Sequence, residues 1–129
     1  MKEEVAIIAG RRVILMDSIS YISFDERDDI IVSGSHGGTA AASYAIQDPA
    51  HLVIFNDAGV GKDQAGIVSL DLLQNEGIAA ATVYHTSACI GVARDTWKNG
   101  IISYVNPLAK ALGICIDDSV QTAIQKLDQ

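Results

Sequence analysis

The sequence predicts a single α/β domain over residues 1–129, with a mostly parallel sheet, helices on both faces and an N-terminal β-hairpin. Three observations lead there. Short, continuous β-branched or apolar runs (Ile30-Ile31-Val32, Leu52-Val53-Ile54-Phe55 and Ile78 to Tyr84) recur at regular intervals. Helical patterns separate them. Each run leads into a polar, glycine-rich segment. A strand that is apolar throughout has to bury both of its sides, and crossover helices are what cover a parallel sheet.

From the N-terminus, Val5 to Ile8 and Val13 to Met16 read as two strands joined by a turn at Gly10-Arg11. Asp17 to Asp29 mixes apolar residues with an acidic cluster and reads as a connection. After Ile30 to Val32, the punctuation Ser33-Gly34-Ser35-His36-Gly37-Gly38 precedes an alanine-rich helix from Thr39 to Ile46, with Thr39 as N-cap. Leu52 to Phe55 repeats the cycle, leading through Asn56 to Lys62 into a helix from Asp63 to Glu76, capped by Asp63 and closed by Gly77. The third buried strand, Ile78 to Tyr84, is followed by His85 to Gly91. Beyond it, Ile102, Val105, Ala109 and Leu112 have helical spacing with Gly113 past the end; a strand over Ile101 to Val105 followed by an Asn106 cap and Pro107 is the competing reading. A last helix runs from about Asp118 to Leu127, with Val120, Ile124 and Leu127 on one face.

Composition narrows the function. With 49% hydrophobic and 19% charged residues the chain falls in the globular range. No apolar run approaches the ~20 residues of a membrane span, and Met1-Lys2-Glu3-Glu4 does not open like a signal peptide, so a cytoplasmic protein without a membrane partner is expected. A net charge of −7 without a basic stripe argues against nucleic acid. Cys89 and Cys115 show no Cys-x-x-Cys spacing, and no His-x-x-x-His helix exists, so neither a disulfide scaffold nor a metal site is expected.

Ligands of open parallel sheets bind at the carboxyl ends of the strands. Ser33 to Thr39, Asn56 to Asp63 and His85 to Gly91 each follow a strand and should converge there into one small-molecule site, although short α/β loops are polar and glycine-rich for turn geometry alone. The candidate catalytic residues are Ser35, His36, Asp57 and His85. Candidate ligand-binding residues are Ser33, Gly37, Gly38, Thr39, Asn56, Gly59, Gly61, Lys62, Thr86 and Ser87. Gly37 and Gly38 before a helix would leave amides open to a carboxylate or phosphate; alternatively Ser33, Ser35 and Thr39 only cap that helix. Ser35, with Gly37 two residues on, approximates a nucleophile elbow, and Ser35, Asp57 and His85 follow the hydrolase order Ser, Asp, His.

Two nucleotide motifs are excluded. Gly61-Lys62 is followed by Asp63, where a Walker loop needs Ser or Thr, and Asn56 occupies the place of its first glycine. Gly59-Val60-Gly61 lacks the third Rossmann glycine at Gln64. No cofactor is expected. Asp57 and Lys62 put one carboxylate and one cation on this loop, as a binding loop or an ion-paired turn. Cys89, between Ala88 and Ile90, reads as a small buried residue more readily than as a nucleophile. Trp97 walls the pocket, contacts a subunit or packs ordinarily.

The strings Asp17-Ser18-Ile19, Gly34-Ser35-His36-Gly37-Gly38, Phe55-Asn56-Asp57-Ala58-Gly59 and Gly77-Ile78-Ala79-Ala80-Ala81-Thr82-Val83 resemble a small, uncharacterised bacterial α/β family, over roughly Asp17 to Gly113. The resemblance implies no activity. The family pattern has arginine where this chain has Cys89, which weakens Cys89 as a shared nucleophile and removes a cation that would suit an anionic ligand. The expected function is an enzyme, a hydrolase or lyase acting on a small polar or anionic metabolite. A non-catalytic binding or regulatory domain, or a structural oligomer subunit, is the alternative; the apolar content suits a homo-oligomer.

Overall fold

A computed structural model describes residues 1–128. Six strands form one mixed sheet in the order β1 (Lys2–Ile8), β2 (Arg11–Met16), β3 (Ile30–His36), β4 (Leu52–Asn56), β5 (Ala79–Val83) and β6 (Ile102–Val105). The β1–β2 pair is an antiparallel hairpin, β2 through β5 are parallel, and β6 returns antiparallel to β5. The hairpin turns at Ala9-Gly10, both left-handed, one residue earlier than the sequence suggested. A two-residue turn of this hand matches the twist of the strands it joins.

Side chains along the strands alternate between two apolar clusters, as a period of two requires. Val13, Leu15, Ile30, Val32, Leu52 and Ile54 share one with Ala93, Val120, Ala123 and Ile124. Ile14, Met16, Ile31, Val53 and Phe55 share the other with Ala41, Ala45, Leu70 and Leu73. The last four belong to α1 (Thr39–Gln47) and α2 (Val68–Asn75), the connections leading out of β3 and β4. Right-handed crossovers between strands added in one direction all fall on one face of a sheet, which is why α1 and α2 meet the same strand residues.

Several boundaries differ from those read off the sequence. Gly38 caps α1 and Thr39 is its first residue. α2 begins at Val68, not Asp63; Asp63 and Gln64 have φ of 55° and 59° and cannot continue a right-handed helix. Gly77, at φ 76°, ends α2 as expected. A helix absent from the sequence reading, α3 (Ala93–Asn99), carries Trp97, which packs half-buried against the first cluster and does not wall the strand-end site. The strand reading of 101–105 is the correct one: β6 leads to Asn106, whose side chain caps α4 (Pro107–Ala111), with Pro107 at the start. The last helix, α5 (Val120–Gln125), is capped by Ser119 and followed by a 3-10 turn, Lys126–Asp128.

Asn106 fixes the β6 edge. It is buried; its Oδ1 accepts from the amides of Ala80 (3.0 Å) and Ala109 (2.9 Å), and its Nδ2 donates to the carbonyls of Ile78 (3.0 Å) and Leu70 (3.2 Å). One side chain thus closes strand, helix cap and α2. Asn106→Ala orphans these groups, and unfolding in urea should show a loss of about 2–3 kcal/mol with an unchanged m-value.

Candidate functional site

The parallel strands β2 to β5 end on one edge, and the polar segments after β3, β4 and β5 are joined there by hydrogen bonds. The buried Asn56 side chain makes one of the links, its Nδ2 donating to the Ala88 carbonyl (2.9 Å), while its Oδ1 accepts from the Ala58 amide of its own loop (2.8 Å). Its carbonyl accepts from Gly37 N (3.0 Å), and the next amide, Asp57 N, donates to the Val83 carbonyl (2.9 Å). Asn56 was expected to touch ligand. Both ends of its amide are instead used internally, because a buried amide costs heavily when unpaired.

β3 reaches this edge through an irregularity. Val32 pairs with Ile54 and His36 with Asn56, so Ser33, Gly34 and Ser35 lie opposite the single Phe55. The buried Ser33 hydroxyl donates to the Ile54 carbonyl (2.8 Å), supplying a donor where the ladder is interrupted. Such bulges re-aim side chains. Ser35 Oγ accepts from the Ile19 amide (2.9 Å), and it lines a hollow of about 160 Å³ with Ser18, His36 and Tyr44. Ser35 and His36 therefore share one hollow, apart from the hydrogen bond that joins the His85 amide to the Asp57 carboxylate; the sequential Ser35, Asp57, His85 order is not joined into a triad by hydrogen bonds.

Asp57 and His85 do come together. The carboxylate of Asp57 is buried; its Oδ1 accepts from the amides of Gly59 (2.8 Å) and His85 (3.1 Å) and faces His85 Nδ1 at 3.5 Å. That last separation exceeds a tight hydrogen bond, and catalytic pairs are often this loose before substrate arrives. The His85 side chain is 53% exposed. A Cβ placed on Gly59 would come within 3.4–3.6 Å of three imidazole atoms, so the ring lies against the backbone of the β4 loop. Beside it, a hydrogen bond to Asp117 raises the Tyr84 hydroxyl above the ordinary phenol range.

The loop after Asp57 is held in an unusual conformation. Ala58, Gly59, Val60, Gly61, Asp63 and Gln64 all have left-handed φ between 52° and 74°, a region that costs a non-glycine residue roughly 1–2 kcal/mol. Close packing maintains it. A Cβ on Gly66 would coincide with the Asp57 carbonyl oxygen, and one on Gly37 would lie 2.6 Å from the Gly66 carbonyl oxygen. Gly37 is thus a point of backbone contact. Its amide, and that of Gly38, which donates to the His36 carbonyl (2.9 Å), are paired. The open amide pair expected for an anion is absent there.

Ser87 is also used internally: its hydroxyl donates to the Tyr84 carbonyl (2.7 Å) and accepts from the Ile101 amide (3.0 Å). Thr39, Gly61, Lys62 and Thr86 are exposed. Lys62 makes no ion pair among the described residues, so the Asp57–Lys62 turn is replaced by Asp57–His85. Cys89, expected to be buried, is exposed, and its amide donates to Asp95 Oδ2 (2.7 Å). Hydrogen bonds from the Asn99 side chain and the Cys89 amide hold the Asp95 carboxyl below its usual range.

Two residues at this edge escaped the sequence reading. Asp17 follows β2, and its Oδ1 accepts from the Ala93 amide (3.0 Å) at the start of α3. The strand-end rule would have found it had Val13 to Met16 been read as parallel to the next strand. Gly66 had no signal, since its role is a contact with Asp57. Among the described residues, no group of three or more His, Cys, Asp or Glu side chains could hold a metal ion. Compared with protein-family models, curated proteins and solved structures, the chain matches none.

Gly66→Ala should cost about 2–3 kcal/mol, as overpacking does, and shift the His85 resonances because the displaced backbone is that of Asp57. Ser69, at the start of α2, gives the contrast: its hydroxyl is buried without a partner. Ser69→Ala removes an unpaired polar group and should leave the melting temperature unchanged or raise it.

Proposed function

We propose that the strand-end edge is a small-molecule site in which His85, oriented by Asp57, moves a proton during hydrolysis or elimination on a small polar or anionic metabolite. The observation that carries this reading is the pairing of a buried carboxylate with a half-exposed imidazole from a different loop. A carboxylate facing Nδ1 favours the tautomer with its proton there, leaves Nε2 with its lone pair and stabilises the imidazolium once a proton is taken. Lys62, Thr86 and Thr39 are the exposed polar residues of the three segments and would contact substrate; His36 and Ser35 would contribute from their own hollow.

The broader reading keeps a cytoplasmic, homo-oligomeric domain with helices on both faces of its sheet. It is supported by the helix residues in both apolar clusters, by exposed Ile90, Val92 and Ile116, and by the fact that no helix among the described residues is long and apolar enough to cross a membrane. The resemblance to an uncharacterised bacterial family belongs to the same proposal and adds no activity to it.

A non-catalytic binding domain is the second reading. It is favoured by the engagement of Ser33, Ser35 and Ser87 in backbone hydrogen bonds away from His85. His85→Ala separates the two. In an enzyme it should preserve the fold and binding while lowering turnover about 10²-fold or more; in a binding domain it should weaken the binding of acetate, sulfate or phosphate, followed by amide NMR shifts. A folded variant unchanged in both respects removes His85 from the site.

A further inference from the structure

Resting on that reading of Asp57 and His85, we propose that His85 is itself the nucleophile, that the anionic substrate carries a phosphoryl group on a good leaving atom, and that Nε2 takes this group covalently. The geometry of the pair leads from proton transfer to covalent transfer: the Asp57 carboxylate is buried, the His85 side chain is 53% exposed, and the ring is held against the backbone at Gly59. A nucleophile needs an accessible lone pair on a group whose neighbours hold it in one orientation. Ser33, Ser35 and Ser87 each bond a backbone group, and the nucleophile we assign is the imidazole Nε2.

The exposure also selects the group transferred. An acyl group on imidazole hydrolyses quickly in water, so a ring 53% exposed is poorly placed to hold one. A phosphoryl group on imidazole nitrogen survives at neutral and alkaline pH. Lys62, three residues beyond Gly59 in the loop that packs on the ring, is exposed and is the cation assigned to the phosphoryl oxygens.

The step balances without a further reagent. With the proton on Nδ1, the Nε2 lone pair attacks phosphorus; the bond from phosphorus to the leaving oxygen or nitrogen breaks, and its electron pair departs with the leaving group. The ring becomes a phosphorylated imidazolium, its positive charge facing the Asp57 carboxylate.

The full-length protein should be incubated with acetyl phosphate and, separately, with phosphoramidate, then analysed by intact mass and by peptide mapping under alkaline conditions. The wild type should gain one acid-labile phosphoryl group on His85. His85→Ala should gain none. Asp57→Asn, which keeps an oxygen for the Gly59 and His85 amides but loses the charge, should label about tenfold more slowly or worse. His51→Ala, altered at a histidine whose imidazole stands beside Asp28 near the opposite edge, should label like the wild type. No label from either donor, or a label that persists in His85→Ala, overturns the proposal. Titration with inorganic phosphate separates it from the reading on which it rests: shifts at Gly59 and His85 without any label leave the anion site standing and remove only the covalent step, whereas neither shifts nor label removes both.

Discussion

The edge of this protein depends on one buried amide. Asn56 ends β4 with no exposed surface and has to satisfy its side chain inside the fold; it does so by binding the backbone of its own loop at Ala58 and of the β5 loop at Ala88. Each bond contributes about 1 kcal/mol net, but the cost of leaving either end unpaired in the interior makes the arrangement close to obligatory. Once the loops after β4 and β5 are tied, Asp57 lies under His85, Gly37 meets Gly66, and the left-handed run from Ala58 to Gln64 has a fixed origin. Glycine is required where those backbones touch, since no side-chain atom fits between them.

The sheet contributes a second constraint. Its parallel strands follow sequence order without reversal, so no crevice opens between diverging crossovers as it does at a switch point. The strand-end rule holds for the location of the polar segments, and the hollow that Ser35 and His36 line lies at the end of β3 without Asp57 or His85 in its lining.

What the sequence made legible follows from burial. The strands at Ile30, Leu52 and Ile78 are apolar throughout and were visible; α1 and the end of α2 carried alanine periodicity and a closing glycine. α3 was not visible because only Ala93 and Thr96 of its seven residues are buried, too few to set a period. The start of α2 differs because Asp63 is a good helix cap by composition yet has a φ of 55°, in the left-handed region that a right-handed helix cannot include. At 101–105 the residues fit either helix or strand, and the choice was made by Asn106 binding Ala80 across the sheet edge.

In the site the same logic divides the candidates. Polar residues at strand ends look alike in sequence, but Ser33, Asn56 and Ser87 pair with backbone groups, whereas His85, Thr86, Lys62 and Thr39 remain at the surface. The account stands on Asn56 holding the two loops so that Asp57 fixes the His85 tautomer, and ¹⁵N spectra of the imidazole in wild type and Asn56→Ala test it most directly. The wild type should show the Nδ1 proton and a bare Nε2, and the variant should revert to the Nε2-protonated form that dominates free neutral histidine. A wild-type spectrum already protonated at Nε2, or a variant spectrum indistinguishable from a wild type with Nδ1–H, would contradict it.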